Sequence, residues 1–218
     1  MDAVVFDLDG VLVDSEQVWD EVRRAVVAEH GGTWTERATR AMQGMSTPEW
    51  ARYLAEELGV PRPPDRIAET VIDRMARRYQ DGPPVLPGAA EVVRTVAGRY
   101  PVAIASSSPP VLIKAFLDAT DLGATVPVAV SSEQVAAGKP APDVYLEAAA
   151  RLGVPAPTCA AVEDTTNGLR SARAAGMTVY AVPNPHFPPD PGALACAAGV
   201  LDDIRELPRA LGITGERG

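Results

Sequence analysis

Phe6-Asp7-Leu8-Asp9-Gly10-Val11-Leu12-Val13-Asp14-Ser15-Glu16 is the stretch on which the reading of this chain turns. Ala3, Val4, Val5 and Phe6 make a short apolar run suited to a buried strand, and two carboxylates, Asp7 and Asp9, stand directly at its exit. Gly10 then frees the backbone to turn. Two acids at the end of a buried strand are costly unless something offsets their charge. A divalent cation and chemistry on a charged substrate would both do so.

Working outward, apolar and often β-branched runs recur at residues 102–105, 126–130, 160–162 and 179–182. Helical patterns begin near Ala89, Val111, Asp143, Gly168 and Ile204, so strand and helix alternate as in a parallel sheet covered on both faces. Ser108-Pro109-Pro110 has the form of a helix entrance, and Gly153 and Gly176 fall where helices would end. The interval between the first two runs differs: about 95 residues carry no strand pattern. It holds three amphipathic segments instead. Residues 16–30 align Val18, Trp19, Val22, Ala25 and Val26; residues 48–58 align Trp50, Tyr53, Leu54 and Leu58; residues 65–79 align Ile67, Val71, Ile72, Met75 and Tyr79. Three such faces cannot all pack on one sheet edge, so the expectation is an α/β core of residues 1–13 and 86–218 with an inserted α-helical lobe at 14–85. The exit, Gly82-Pro83-Pro84-Val85-Leu86-Pro87-Gly88, is a stiff linker of the kind that bounds domains.

Composition narrows the function. The 218 residues carry a net charge of -9, which disfavours nucleic acid and anionic membrane, since both are held through Lys and Arg. A small-molecule partner fits better. No apolar run is long enough to cross a bilayer and no secretory pattern follows Met1, so a cytoplasmic, monomeric protein is expected. Cys159 and Cys196 fall in no metal-binding or redox spacing, and Cys159 reads as a small core residue. Only two of the twenty basic residues are lysines, Lys114 and Lys139, so an isolated Lys is informative here.

Ligands of open α/β sheets bind beyond the carboxyl ends of the strands. Asp7 and Asp9 end the first run, Ser106 and Ser107 the second, and Glu163 and Asp164 the fourth; Lys139 lies in the loop after the third. Each alone has a plain structural reading: Ser106 to Ser108 as a helix cap, Asp164-Thr165-Thr166-Asn167 as another, Lys139 as a solvated loop residue. Together they form an inventory sufficient for phosphoryl transfer. A carboxylate at Asp7 can accept a phosphoryl group, Asp9 can protonate the leaving alkoxide and activate water, and Lys139 and Ser106 can neutralise phosphate oxygens. Asp7 and Asp164 can supply carboxylates for Mg2+, with a backbone carbonyl near Asp9 as a further oxygen. His186, in a Pro-rich stretch, reads as a loop anchor.

The first segment, Ala105-Ser106-Ser107-Ser108-Pro109, Gly138-Lys139-Pro140-Ala141-Pro142-Asp143-Val144-Tyr145 and Val162-Glu163-Asp164-Thr165-Thr166-Asn167-Gly168 resemble, in order, the four motifs of the haloacid dehalogenase-like (HAD) superfamily. The likeness is to its β-phosphoglucomutase-like branch and, within it, to sugar and hexitol phosphatases. The resemblance implies a Rossmann-like core, a helical cap, magnesium and an aspartyl-phosphate intermediate. It makes Asp7 the nucleophile and Asp9 the acid/base, gives phosphate to Ser106, Ser107 and Lys139, and gives metal to Asp7, Asp9, Asp164 and Glu163. A small phosphorylated metabolite is the implied partner. Carbon–halogen cleavage needs no second aspartate, and the phosphonate-cleaving relatives need a cap lysine that residues 14–85 lack. The resemblance implies that a mutase would carry a His where Trp19 stands, as well as a cap lysine, so hydrolysis is preferred over the mutase reading, with a non-catalytic phosphometabolite-binding protein on the same fold as the remoter alternative. Substrate selection is expected from Glu16, Trp19 and the loop Gln43-Gly44-Met45-Ser46-Thr47, where Gln43, Ser46 and Thr47 offer hydrogen bonds and Gly44 close approach. Thr47 followed by Pro48 equally fits a helix cap.

Overall fold

The computed structural model describes residues 1–42, 45–185 and 188–213. Six strands, β1 (Ala3–Phe6), β2 (Val102–Ser106), β3 (Val128–Ser131), β4 (Cys159–Glu163), β5 (Thr178–Ala181) and β6 (Gly199–Val200), form one sheet in the order β3-β2-β1-β4-β5-β6. All neighbours pair in parallel. Buried on both faces, the inner strands alternate between two cores. Val4, Phe6, Val102, Ile104, Ala160 and Val162 face one; Ala3, Val5, Ala103, Ala105, Cys159 and Ala161 face the other.

The first core is closed by α5 (Ala89–Ala97), α6 (Pro110–Thr120) and α10 (Leu207–Ala210), the second by α7 (Asp143–Leu152), α8 (Thr166–Ala174) and α9 (Pro191–Leu194). The anticipated helix near Ile204 is a 3₁₀ turn, Ile204–Glu206, running into α10. Val126 lies before β3; its N–H bonds Leu122 O at 2.8 Å, closing the turn after α6.

The inserted segment is helical throughout its regular structure: α1 (Glu16–Glu29), α2 (Ala38–Met42), α3 (Thr47–Glu56) and α4 (Pro64–Gln80). They share a third apolar cluster containing Trp19, Val22, Trp50, Leu54, Ile67, Val71 and Met75, completed by Leu112 of α6. Each fully buried large side chain there contributes about 1.5–3 kcal/mol, which holds these short helices together. The inward face of α1 departs from the expected one: Ala25 is exposed, whereas Arg23 and Val27 are buried. Ser46, not Thr47, caps α3, in a capping box with Glu49, and Pro48 sits in the first turn.

The two connections between lobe and core run side by side. Asp14 N bonds Pro84 O at 2.8 Å and Leu86 N bonds Leu12 O at 2.9 Å, with Val13 and Val85 bridging antiparallel.

Candidate active site

Strand order fixes where the site falls. The chain leaves β1 for β2 and β3 on one side and returns to β4 on the other, so a crevice opens beyond the carboxyl ends of β1 and β4. Asp7 follows β1, Glu163 ends β4, and Asp164 comes next. Asp7, Glu163 and Asp164 each aim a carboxylate oxygen into one cluster within 4.8 Å, and all three side chains are buried.

Lys139 enters the same cluster from the loop after β3. Its Nζ lies 2.6 Å from Glu163 Oε1 and 2.8 Å from Asp7 Oδ1. The second contact is an ion pair without the alignment of a hydrogen bond. Burial pulls the Lys139 ammonium towards neutrality, but Asp7 and Glu163 outweigh it and keep it charged. Burial first and Glu163 second push the Asp7 carboxyl up, against Lys139. Asp164 is raised for the same two reasons. Glu163 is saturated: Oε1 accepts from Lys139 and, at 2.8 Å, from Tyr145 Oη, while Oε2 accepts from the amides of Asp164 and Thr165 and from Thr165 Oγ1.

Two glycines make room for these acids. A Cβ on Gly10, whose φ is +79°, would fall 1.9 Å from Asp164 Oδ2, and one on Gly168 would fall 1.9 Å from the Glu163 carboxylate.

Fit to a cation can be judged from the donors alone. Three carboxylates face one ammonium, and Asp164 Oδ1 is buried without a hydrogen-bond partner. Excess negative charge and an orphaned hard oxygen suit Mg2+. Asp7 and Asp164 have oxygens to give, whereas those of Glu163 are already engaged.

Asp9 lies outside that cluster. Its Oδ1 accepts from Ser15 Oγ and, at 3.1 Å, from Trp19 Nε1; its Oδ2 accepts from Ser106 Oγ at 3.2 Å and Ser108 Oγ at 2.6 Å. A carboxylate so held sits between lobe and core, suited to exchanging a proton with a group lying across the cleft. The three serines do not cap α6, whose preceding residue is Pro109. Instead Ser106 Oγ also accepts from Ser108 N at 2.9 Å, and the carbonyl of Ser108 accepts from Ser131 Oγ at 2.8 Å, which fixes the loop.

The cleft is lined by Asp7, Asp9, Ser107, Ser108, Lys139 and Thr165 from the core, and by Glu16, Trp19, Arg23, Met42, Met45 and Trp50 from the helical lobe. Glu16 and Trp19 thus line the same cleft as Asp7 and Asp9. Ser46 is occupied by Glu49, and Thr47 is buried in the first turn of α3. Gln43, Gly44 and His186 lie outside the described residues. Arg23, Trp50, Ser108 and Tyr145 were not singled out from the sequence. For Arg23 a signal existed, since it stands one helical turn after Trp19 on the same face.

A family model of haloacid dehalogenase-like hydrolases matches residues 1–176. The chain is 34% identical over 196 residues to hexitol phosphatase B of Escherichia coli, spanning 87% of this chain and 86% of that protein. It is 32% identical to a phosphorylated carbohydrates phosphatase of Thermotoga maritima, spanning 84% and 85%. A solved HAD family hydrolase of Deinococcus radiodurans, with bound phosphate and sodium, superposes with a TM-score of 0.70 at 33% identity, covering 97% of this chain and 95% of that one.

Proposed function

This chain belongs to the haloacid dehalogenase-like hydrolases, and from that premise we propose that it is a magnesium-dependent phosphatase of small sugar or polyol phosphates. The observation that carries the reading is the pair of carboxylates at the end of β1 with separate surroundings: Asp7 against Lys139 and Asp164, Asp9 against Ser106, Ser108 and Trp19. One is placed to attack and the other to move a proton. The named activities of the two phosphatase relatives support the substrate class.

In the first half-reaction an Asp7 carboxylate oxygen bonds to phosphorus as the ester P–O bond breaks, and Asp9 gives its proton to the departing alkoxide. In the second, Asp9 takes a proton from water while the water oxygen bonds to phosphorus. The acyl phosphate bond breaks, restoring the Asp7 carboxylate and releasing phosphate. Lys139, Ser106 and Ser107 hold the equatorial oxygens, and Glu163 with Tyr145 fixes Lys139 in place. Magnesium, held by Asp7 and Asp164, would neutralise charge on the phosphoryl oxygens and the attacking carboxylate. Residues 1–13 and 86–218 act as the catalytic core and 14–85 as a cap that keeps bulk water from the site.

Hydrolysis is favoured over the mutase reading because the indole of Trp19 stands beside Asp9, where a mutase would have a His, and residues 14–85 hold no lysine to help position the acid/base. The test is phosphate release from a panel of sugar, polyol and short-acid phosphates with and without magnesium, beside Asp7→Asn. Release that needs both magnesium and Asp7 is expected. Release unaffected by Asp7→Asn would sink the reading.

A further inference from the structure

Arg23 is the anomaly of the cleft. It projects from α1 at 9% exposure, its guanidinium carbon 4.6 Å from the ring centre of Trp19 and 5.0 Å from that of Trp50. Nε is buried with no partner, and the guanidinium makes no hydrogen bond or ion pair among the described residues. A guanidinium has five N–H donors and no acceptor, and burying it unpaired costs several kcal/mol in general. Arg23 nevertheless lines the same cleft as Asp7, Asp9 and Lys139. Its donors are therefore kept for something that enters there.

The charges around it select the kind of group. Asp7, Asp9 and Glu16 line the cleft with Arg23 and Lys139, so carboxyl groups outnumber cations there. A second phosphate or a carboxylate on the substrate would add to that excess. Neutral hydroxyls would not: Arg23 donates to a hydroxyl oxygen, and the Glu16 carboxyl, protonated or ionised, accepts a hydroxyl hydrogen. The two indoles, their centres 6.0 Å apart, both lie against the guanidinium, which spares the entropy of ordering a long side chain at binding.

We propose that Arg23, acting with Glu16 in the same cleft, is the specificity-determining residue of this chain, reading the hydroxyls of the leaving group and discriminating against substrates with a second anion. This rests on the phosphatase reading and names the part of the molecule that would choose the substrate.

The experiment separates binding from turnover. Asp7→Asn protein, with magnesium, is titrated with mannitol phosphate, propyl phosphate, phosphoglycolate and inorganic phosphate, following the fluorescence of Trp19 and Trp50; the same is done with Arg23→Met added. Methionine keeps an apolar stem against the indoles, and urea unfolding verifies that the variants fold. Mannitol phosphate is expected to bind roughly tenfold or more weakly in the Arg23→Met background, and propyl phosphate to change less than about threefold. In enzyme with Asp7 intact, the same substitution raises KM for mannitol phosphate and leaves that for propyl phosphate in place. Equal weakening of both ligands, or tighter binding of phosphoglycolate than of mannitol phosphate that is lost with Arg23, overturns the proposal. Failure of inorganic phosphate to bind the parent overturns the phosphatase reading instead.

Discussion

At the scale of single residues, the site is a problem in charge balance. Lys139 is the one cation in contact with the buried acids among the described residues, touching both Asp7 and Glu163. Breaking such a buried pair leaves uncompensated charge, so Lys139→Met is expected to cost about 3 kcal/mol in urea unfolding without added cation, with addition of magnesium recovering part of it. An unchanged midpoint would contradict that account. Glu16 poses the opposite case. Burial, then the neighbouring Asp9 carboxylate, push its carboxyl from 4.5 up to about 7, and Arg23 only partly offsets them. The protonated form is the one the fold prefers. Its contribution is therefore full below the unfolded value and is lost as pH rises through about 7. Relative to Glu16→Gln, the wild-type chain is expected to lose about 1 kcal/mol of stability between pH of about 5 and about 8, a figure discounted for partial solvent screening. A difference that stays flat over that range would refute the assignment.

At the scale of elements, turns and helix starts are shaped around the acids they carry. Gly168, in the first turn of α8, is the sharpest case. Alanine normally stabilises a helix by about 1 kcal/mol relative to glycine, but here its Cβ would overlap the Glu163 carboxylate. Gly168→Ala is thus expected to destabilise, by about 2 kcal/mol, reversing the usual sign. A raised thermal midpoint would show that the glycine does not serve Glu163. These elements also show how much was legible beforehand. Strands β1, β2 and β4 were legible because burial on both faces demands unbroken apolar runs. That Asp7, Glu163 and Asp164 would come together was legible because strand ends in a parallel sheet converge. Two residues of β6 and five of α2 are too short for any periodicity to emerge. The capping box Ser46 to Glu49 was written in the chain yet overlooked beside Thr47-Pro48. Arg23 escaped because a charged residue on an amphipathic helix is ordinarily counted to the wet face; only the aromatic pair around it makes burial tolerable. Scarcity of lysine singled out Lys139, which is buried against Asp7 and Glu163, but carried nothing for Lys114, which lies exposed beside Asp118.

At the scale of the whole molecule, the cleft between the helical lobe and the core has a cavity of about 40 Å³, smaller than a sugar phosphate. On the proposed function the lobe is therefore expected to lift for turnover, with Asp14 and Pro83 to Pro87 as the hinge and the Trp19 to Asp9 contact as the latch. Small-angle scattering is expected to give a larger radius of gyration without ligand than with magnesium and a phosphate analogue; identical curves would contradict the hinge. The same data are expected to report a monomer, since the exposed large apolar residues Val111, Leu146 and Val200 lie on separate elements. No described helix is long and apolar enough to cross a membrane. On the proposed function all of this serves one chemical event, the transfer of a phosphoryl group to Asp7, and its most direct test is to trap it. Asp9→Asn removes the group proposed to protonate the leaving alkoxide and then activate water, so the donor is p-nitrophenyl phosphate, whose leaving group needs no proton. Peptide mass spectrometry of that variant, quenched in acid after mixing with magnesium and p-nitrophenyl phosphate, is expected to find phosphate on the peptide containing Asp7 and on no other. Phosphate on a different residue, or none while free phosphate is still released, would contradict the account.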